Sequence, residues 1–215
     1  MNAPLRQQTE LNTTRGFSLI ELLVTVAVAS LLFSFATPAF ERFVQENRRS
    51  STIYGLMNDL QFARSESIKR SARLAVCARK PGTVQACDDT APADWGEGWL
   101  VFTDNGDDVG EFEPATETLL RVGSGTEGDL VFSTRARVNS GATNEASVNY
   151  VRFGPRGTSN WRGGGFMLLC DRKDGNAERA AAVNVTLSGD IRRARRDGDN
   201  NLISAFGTSP VCPTT

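Results

Sequence analysis

The sequence of 215 residues contains no histidine. Histidine is the usual general base near neutral pH and the commonest zinc ligand, so its absence argues against Ser-His-Asp hydrolases and most zinc centres. The cysteines Cys77, Cys87, Cys170 and Cys212 lack C-x-x-C spacing, which argues against a zinc ribbon or a redox motif. We find no internal repeat and no low-complexity linker. We therefore expect no enzyme, no metal site and no cofactor.

The charges nearly balance, with 24 basic and 25 acidic side chains and a net charge of −1. Such a chain is not globally built for nucleic acid, so a role of that kind would need a local basic patch. The length allows one membrane helix and one globular domain of modest size.

A long apolar run extends from Phe17 to Phe40 and is interrupted by Glu21. At about 1.5 Å per residue, a helix of this length would cross a hydrocarbon layer of about 30 Å. An ionised carboxylate inside it costs at least about 2.5 kcal/mol and needs a partner. Cleavage after Gly16 would provide one, because the new amine of Phe17 lies one helical turn before Glu21. The alternatives are a secretory signal peptide and a plain membrane anchor, although a carboxylate near the start of a signal peptide's apolar core is unexpected.

The stretch Gly-Phe-Ser-Leu-Ile-Glu before an apolar helix resembles the N-terminus of type IV pilins and type II secretion pseudopilins. The resemblance implies a leader of residues 1–16, cut after Gly16 by prepilin peptidase, with N-methylation of Phe17. It also implies that Glu21 acts in assembly and that Pro38 bends the helix. Residues 17–40 would then be the transmembrane and filament-core helix.

The helical pattern continues beyond this run. Apolar residues recur at spacings of three and four, which predicts an amphipathic helix over residues 41–72 that ends near Arg70. The members of this stripe are Ile53, Leu56, Met57, Leu60, Ala63 and Ile68.

From Leu74 onward, a period of two and frequent turn residues predict strands. The expected strands are Leu74–Arg79, Trp99–Asp104, Thr118–Val122, Asp129–Thr134, Val148–Phe153, Gly165–Cys170 and Ala181–Leu187. The predicted class is α+β, with a long N-terminal helix packed on an antiparallel β domain over residues 73–215.

This β region carries a second resemblance. The segments Trp95–Glu111, Val151–Cys170 and Val183–Arg196 resemble the GspH/FimT pilin-like domain, and the cysteines resemble those of the FimT and FimU minor pilins. An even number of cysteines on a segment outside the cytoplasm predicts disulfides. Three pairings are possible, and we favour Cys77–Cys87 with Cys170–Cys212; free buried thiols are the alternative.

Several motifs have ordinary structural interpretations. The acidic stretch with Asp104, Asp107, Asp108 and Glu111 and the segment Asp197–Leu202 do not fit a calcium loop, and we interpret both as turns. The G-x-G-x-x-G match at residues 123–128 precedes a strand, so we predict a hairpin loop rather than a cofactor site. Trp95, Trp99 and Trp161 are expected in the core rather than on a base-stacking platform.

A basic cluster lies near the C-terminus and contains Arg192, Arg193, Arg195 and Arg196. In an extended chain, Arg193 and Arg195 would face one side, and Arg192 and Arg196 the other. FimT-type pilins that take up DNA carry Gly-Arg-x-Arg in this region, whereas here Asp190 replaces the first arginine. DNA binding through the cluster is one hypothesis; a charged strand edge is the other.

The resemblance implies a minor pilin of a type IV pilus that initiates or caps the filament. Its expected partners are other minor and major pilins, prepilin peptidase and the inner membrane, with a periplasmic C-terminal domain before assembly. The alternatives are a DNA-binding minor pilin for natural transformation and a GspH-type pseudopilin of type II secretion.

Overall fold

The computed structural model describes residues 16–90, 92–93, 95–126, 130–139, 145–171 and 179–212, without the side chains of residues 35–39 and 171. The chain divides into two compact units, one ending at Val44 and the other beginning at Gln45. Among the described residues, no helix has both the length and the hydropathy expected of a membrane span.

The helix α1 runs from Leu19 to Arg70, so it ends where the apolar spacing predicts. Its last turn is closed by Ser71, which has a positive φ of 50° and donates its amide to the carbonyl of Ile68 at 3.2 Å. A residue in this left-handed conformation commonly terminates a helix. Arg70 donates to Glu66 at 2.6 Å, and this hydrogen bond holds the pKa of Glu66 below its usual value.

In the described part of the chain, nine strands and a short 3₁₀ turn at Trp95–Glu97 follow the helix. The strands are β1 (Leu74–Ala78), β2 (Gly98–Thr103), β3 (Leu119–Ser124), β4 (Leu130–Ala136), β5 (Ala146–Ser147), β6 (Tyr150–Phe153), β7 (Gly165–Asp171), β8 (Ala181–Val185) and β9 (Ile191–Arg193). They form two antiparallel sheets, one with the order β3-β2-β1-β6 and the other with the order β5-β4-β7-β8-β9. The predicted α+β class is confirmed.

One core joins the second half of α1 to both sheets. Four members of the predicted apolar stripe are completely buried: Ile53, Leu56, Leu60 and Ala63. Met57 is partly buried, whereas Ile68 is 49% exposed, so the prediction is wrong for Ile68. The ring of Trp99 on β2 meets that of Phe132 on β4 edge to face at 6.4 Å. Trp95, Trp99 and Trp161 are all buried, as expected for core residues, so they offer no stacking platform.

Each sheet also buries its second face under a disulfide-linked segment. Cys77 on β1 is bonded to Cys87, and Cys170 on β7 is bonded to Cys212 near the C-terminus. These are the two pairs favoured from the sequence. The second bond holds the C-terminal segment over an apolar cluster that includes Phe166, whose ring contacts Phe206 at 5.7 Å.

The prediction for residues 123–128 is wrong in one respect. Gly123 and Ser124 end β3, which pairs with β2, whereas β4 pairs with β5 and β7. The segment therefore connects two sheets and is not a hairpin loop. Residues 127–129 lie outside the described part of the chain. The predicted strand set also omitted β5 and β9.

Candidate functional site

The first half of α1 presents apolar side chains to its surroundings on every side. Their exposed fractions reach 77% at Leu19, 58% at Leu22, 59% at Val26 and 66% at Leu32. A helix that is apolar all round is normally found inside a protein core, a helical assembly or a membrane. The described residues leave these apolar side chains exposed, which is unfavourable in water.

Three hydroxyl groups in the described part of this segment are satisfied within the helix. Thr25 donates to the carbonyl of Leu22 at 2.9 Å, Ser30 to that of Ala27 at 2.8 Å, and Ser34 to that of Leu31 at 2.7 Å. Because each hydroxyl already has an acceptor, it costs less to bury in apolar surroundings. The apolar character of the segment is thus greater than its composition indicates.

Glu21 differs from these hydroxyls. It lies in the first turn of α1 and is exposed, and no described residue of its chain forms an ion pair or hydrogen bond with its side chain. Gly16 and Phe17 precede the helix, and Phe17 is 83% exposed. Residues 1–15 of the predicted leader and the side chain of Pro38 lie outside the described residues, although α1 continues through Pro38.

The arginines near the C-terminus have different surroundings. Arg192 on β9 forms an ion pair with Asp190 at 2.5 Å. Arg193 donates to the hydroxyl of Tyr54 on α1 at 3.0 Å, and its guanidinium lies 5.5 Å from the centre of that ring. Both contacts leave the two side chains exposed.

Arg196 has a structural role. Its guanidinium donates to the carbonyls of Asn200 and Ala180, both at 2.7 Å, and so fastens the C-terminal segment to the sheet. Arg195 is exposed and has no ion-pair partner among the described residues.

Three of the four arginines line one cleft of about 330 Å³, together with Asn184, Asp190 and Ile203. They are Arg192, Arg193 and Arg195. Arg193 pairs with Val183 and contacts Tyr54 on α1, whereas Arg192 pairs with Asn184, whose side chain donates to the carbonyl of Ile203. These two arginines therefore face opposite sides of the sheet, as the alternation predicts. The strand ends at Arg193, so the period of two does not extend to Arg195. This arrangement can attract an anion through three positive side chains, one of them already paired.

The acidic stretch is held by internal contacts. Asp104 is 1% exposed and forms an ion pair with Arg152 at 3.3 Å. The buried carboxylate of Glu117 accepts hydrogen bonds at 2.9 Å from the backbone amides of Asn105, Gly106 and Glu113. Among the described residues, no group of three or more acidic or cysteine side chains is placed to bind a metal ion.

The segment Asp197–Leu202 contains a turn around Asp197. Its carboxylate accepts hydrogen bonds from the backbone amides of Asn201 at 2.8 Å and Asp199 at 3.0 Å. The hydrogen bond from Asn201 is the main cause of a lowered pKa at Asp197. This arrangement is the Asx turn that the sequence predicted.

Asp59 connects the polar side of α1 to the first sheet and was not among the residues predicted to have a specific role. Its carboxylate accepts hydrogen bonds from the indole of Trp99 at 2.8 Å and from Arg121 at 2.9 Å. The only signal in the sequence was an acidic residue next to the apolar stripe, and such residues are common on solvated helix faces.

Two known families match parts of this chain. Residues 55–189 match the family described as type II transport protein GspH, and residues 11–37 match the prokaryotic N-terminal methylation motif. The first match covers more than half of the chain, and the second covers the candidate processing site.

Known proteins show the same relationship. The type IV major fimbrial protein FimA of Dichelobacter nodosus is 28% identical over 123 residues, which cover 55% of this chain and 73% of that protein. The type IV minor pilin FimU of Pseudomonas aeruginosa has a TM-score of 0.53 and 18% identity, over 80% of this chain and 99% of that chain. At this identity, the second likeness shows a shared fold.

Proposed function

Because the chain belongs to the GspH family and carries the N-terminal methylation motif, we propose that it is a minor pilin that initiates or caps a type IV pilus. Members of these families associate with other pilins in a filament. The proposal adds a position in that filament and assigns the chain no catalytic activity.

The exposed apolar half of α1 supports this proposal most strongly. An apolar side chain such as Leu19 or Leu32 gains about 1.5–3 kcal/mol when it moves from water to full burial. Several such side chains on all sides of one helix favour insertion among other helices over docking through a single face. A filament core built from the N-terminal helices of neighbouring subunits provides such an environment.

Glu21 supplies the specificity in this proposal. Prepilin peptidase cuts after Gly16, and the methylated amine of Phe17 pairs with the Glu21 carboxylate of an adjacent subunit. Before assembly, residues 17–40 anchor the chain in the inner membrane, with the C-terminal domain in the periplasm. Removing the carboxylate would leave the helix apolar and yet deprive the amine of its partner.

The test compares Glu21→Leu with Glu41→Leu, a matched change at another exposed carboxylate of α1. We expect the Glu21 variant to be processed and retained by the cell, while its amount in sheared filaments falls at least about tenfold. That loss corresponds to about 1.4 kcal/mol. The Glu41 variant should enter filaments normally. Equal incorporation of both variants would contradict the proposed role.

A type II secretion pseudopilin is the second candidate, because the matched family is described as type II transport protein GspH. Deletion of the gene separates the two. Loss of protein secretion with normal surface pili would support the pseudopilin. Loss of pili with normal secretion would support the minor pilin.

DNA binding is a further candidate because three arginines surround one cleft. With Arg196 engaged in the fold, two or three phosphate contacts remain, so the logarithm of the affinity should fall with that of the salt concentration with a slope of about −2 to −3. The variant with Arg192, Arg193 and Arg195 changed to alanine should lose this slope, whereas Arg156→Ala, an exposed control, should keep it. Equal slopes in both variants would contradict DNA binding through this cleft.

A further inference from the structure

The four-stranded sheet has two edges that differ in how they are covered. At β6, the amide of Arg152 donates to the side chain of Asn160 at 2.8 Å, and its carbonyl accepts from the backbone of Asn160 at 2.9 Å. The indole of Trp161 donates to the carbonyl of Tyr150 at 3.1 Å. These hydrogen bonds occupy the outward-facing backbone groups of β6, so that edge cannot pair with another strand. At the other edge, β3 pairs with β2 alone, and no described residue forms a backbone hydrogen bond to its outer side.

The outward-facing groups of β3 can be identified from its contacts with β2. The carbonyl of Gly123 and the amide of Gly125 lie next to the position that a Cβ on Gly98 would occupy, so both point toward β2. Gly98 itself has a φ of 110°, which a side chain would oppose. Because backbone direction alternates along a strand, Val122 and Ser124 direct their N–H and C=O groups away from the sheet.

A groove follows this open edge. Two clefts of about 450 and 410 Å³ share residues 122–125 of the chain. The first is bounded by the polar side of α1, including Arg48, Thr52 and Asn58, and the second by Arg79 and Thr126. Gly123 must lack a side chain because a Cβ there would overlap the ring of Trp99. The backbone of β3 is therefore accessible over several residues.

The charge in the first cleft is unbalanced, whereas the second cleft contains both Arg79 and the exposed carboxylate of Glu97. Arg48 is exposed and has no ion-pair partner among the described residues, whereas Arg79 donates to the carbonyl of Glu97. Asp59, the carboxylate in the first cleft, is already occupied by Trp99 and Arg121. A ligand that places a carboxylate beside Arg48 would thus restore the balance.

We propose that this groove binds an extended segment of a neighbouring, different pilin subunit, which adds to the sheet as a strand beside β3 and presents an acidic side chain to Arg48. The inference depends on the proposed filament function, which supplies the neighbour. Strand addition fits because main-chain hydrogen bonds give affinity at an open sheet edge, while the charge selects the segment. Val122, which is 45% exposed, adds an apolar contact on one face of the new strand.

The experiment uses the full chain in cells that assemble filaments, with a photoreactive benzoylphenylalanine in place of Ser124. Irradiation should link this position to a segment of another pilin subunit that contains Asp or Glu, identified by mass spectrometry. The same probe in place of Val211, which is 81% exposed and distant in sequence, serves as the control. Linkage at Ser124 to a second copy of this chain, to a protein that is no pilin, or at no more than the Val211 level would overturn the inference.

Two variants test the mechanism in the background of the Ser124 probe. Val122→Pro removes an outward N–H that the incoming strand needs, while Val122→Ala keeps it; proline is tolerated where the N–H of an edge strand faces solvent. The proline variant should reduce the linkage about tenfold, the effect of losing one backbone hydrogen bond, and alanine less than about twofold. Arg48→Glu should reduce it similarly, whereas Arg48→Lys should retain it. Equal linkage in all four variants would refute strand addition.

Filament content is measured in parallel to separate two failures. A chain that is present in sheared filaments but gives no specific linkage at Ser124 contradicts the groove alone. A chain that never enters filaments contradicts the proposed function.

Discussion

Replacing Asp59 with alanine should destabilise the C-terminal unit because its carboxylate connects α1 to the first sheet. The carboxylate is 13% exposed and accepts from Trp99 and Arg121 at 2.8 and 2.9 Å. The indole of Trp99 is buried, and a buried donor without an acceptor costs about 1–3 kcal/mol. Arg121 is partly exposed and also stacks on Phe62 at 3.6 Å, so the ion pair adds only about 0–1 kcal/mol. The free energy of unfolding should therefore fall by about 1–4 kcal/mol.

Denaturant unfolding followed by tryptophan fluorescence measures this loss directly. The melting temperature should fall by about 2–4 °C per kcal/mol. Asp59→Asn keeps one acceptor for the indole and should lose less than alanine. Asp89→Ala is the control, since that carboxylate is 61% exposed and its pairing with Lys80 at 3.4 Å should contribute little. If Asp59→Ala proved no more destabilising than Asp89→Ala, the connection between helix and sheet would have no energetic role.

Three further predictions concern the same unit. Leu60→Ala should cost about 2–5 kcal/mol in chemical denaturation because this side chain is completely buried; a loss below about 1 kcal/mol would contradict the assigned core. In the same assay, Cys212→Ser should cost more than Cys87→Ser, about 3.9 against 2.7 kcal/mol, because the bonds span 42 and 10 residues; the reverse order would contradict the loop-entropy argument. Asp197 should titrate below its usual range in an NMR pH series, chiefly because the amide of Asn201 donates to it. Since that pKa is lowered by folding, its contribution to stability is present above the unfolded value and disappears as the pH falls through the folded value; a midpoint at or above the unfolded value would exclude it.

The helix and most strands could be predicted because their signals are local. The three- and four-residue spacing around Leu56 and Leu60 identifies the buried face of α1, and turn residues separate the strands. The two omitted strands lack such signals. β5 has only two residues, and β9 is mostly arginine, so its pairing with β8 depends on the sheet already being in place. Nor could the sequence indicate that β3 and β4 belong to different sheets.

The candidate sites show the same limit. The N-terminal motif is contiguous and could be recognised directly. Which of the four arginines are engaged by the fold depends on partners that are distant in the chain. Tyr54, for example, lies 139 residues before Arg193. Arg196 looks equivalent to its neighbours in the sequence, yet the carbonyl of Ala180 fixes it in the fold. Local patterns therefore locate charged side chains, whereas tertiary contacts decide which of them remain available.

Intact-mass and peptide mass spectrometry of the chain recovered from sheared filaments determines where the mature protein begins. We expect an N-terminal peptide that begins at Phe17 and carries one methyl group on its amine. A filament-associated chain that begins at Met1, or one cut after the apolar run near Ala39, would contradict this expectation.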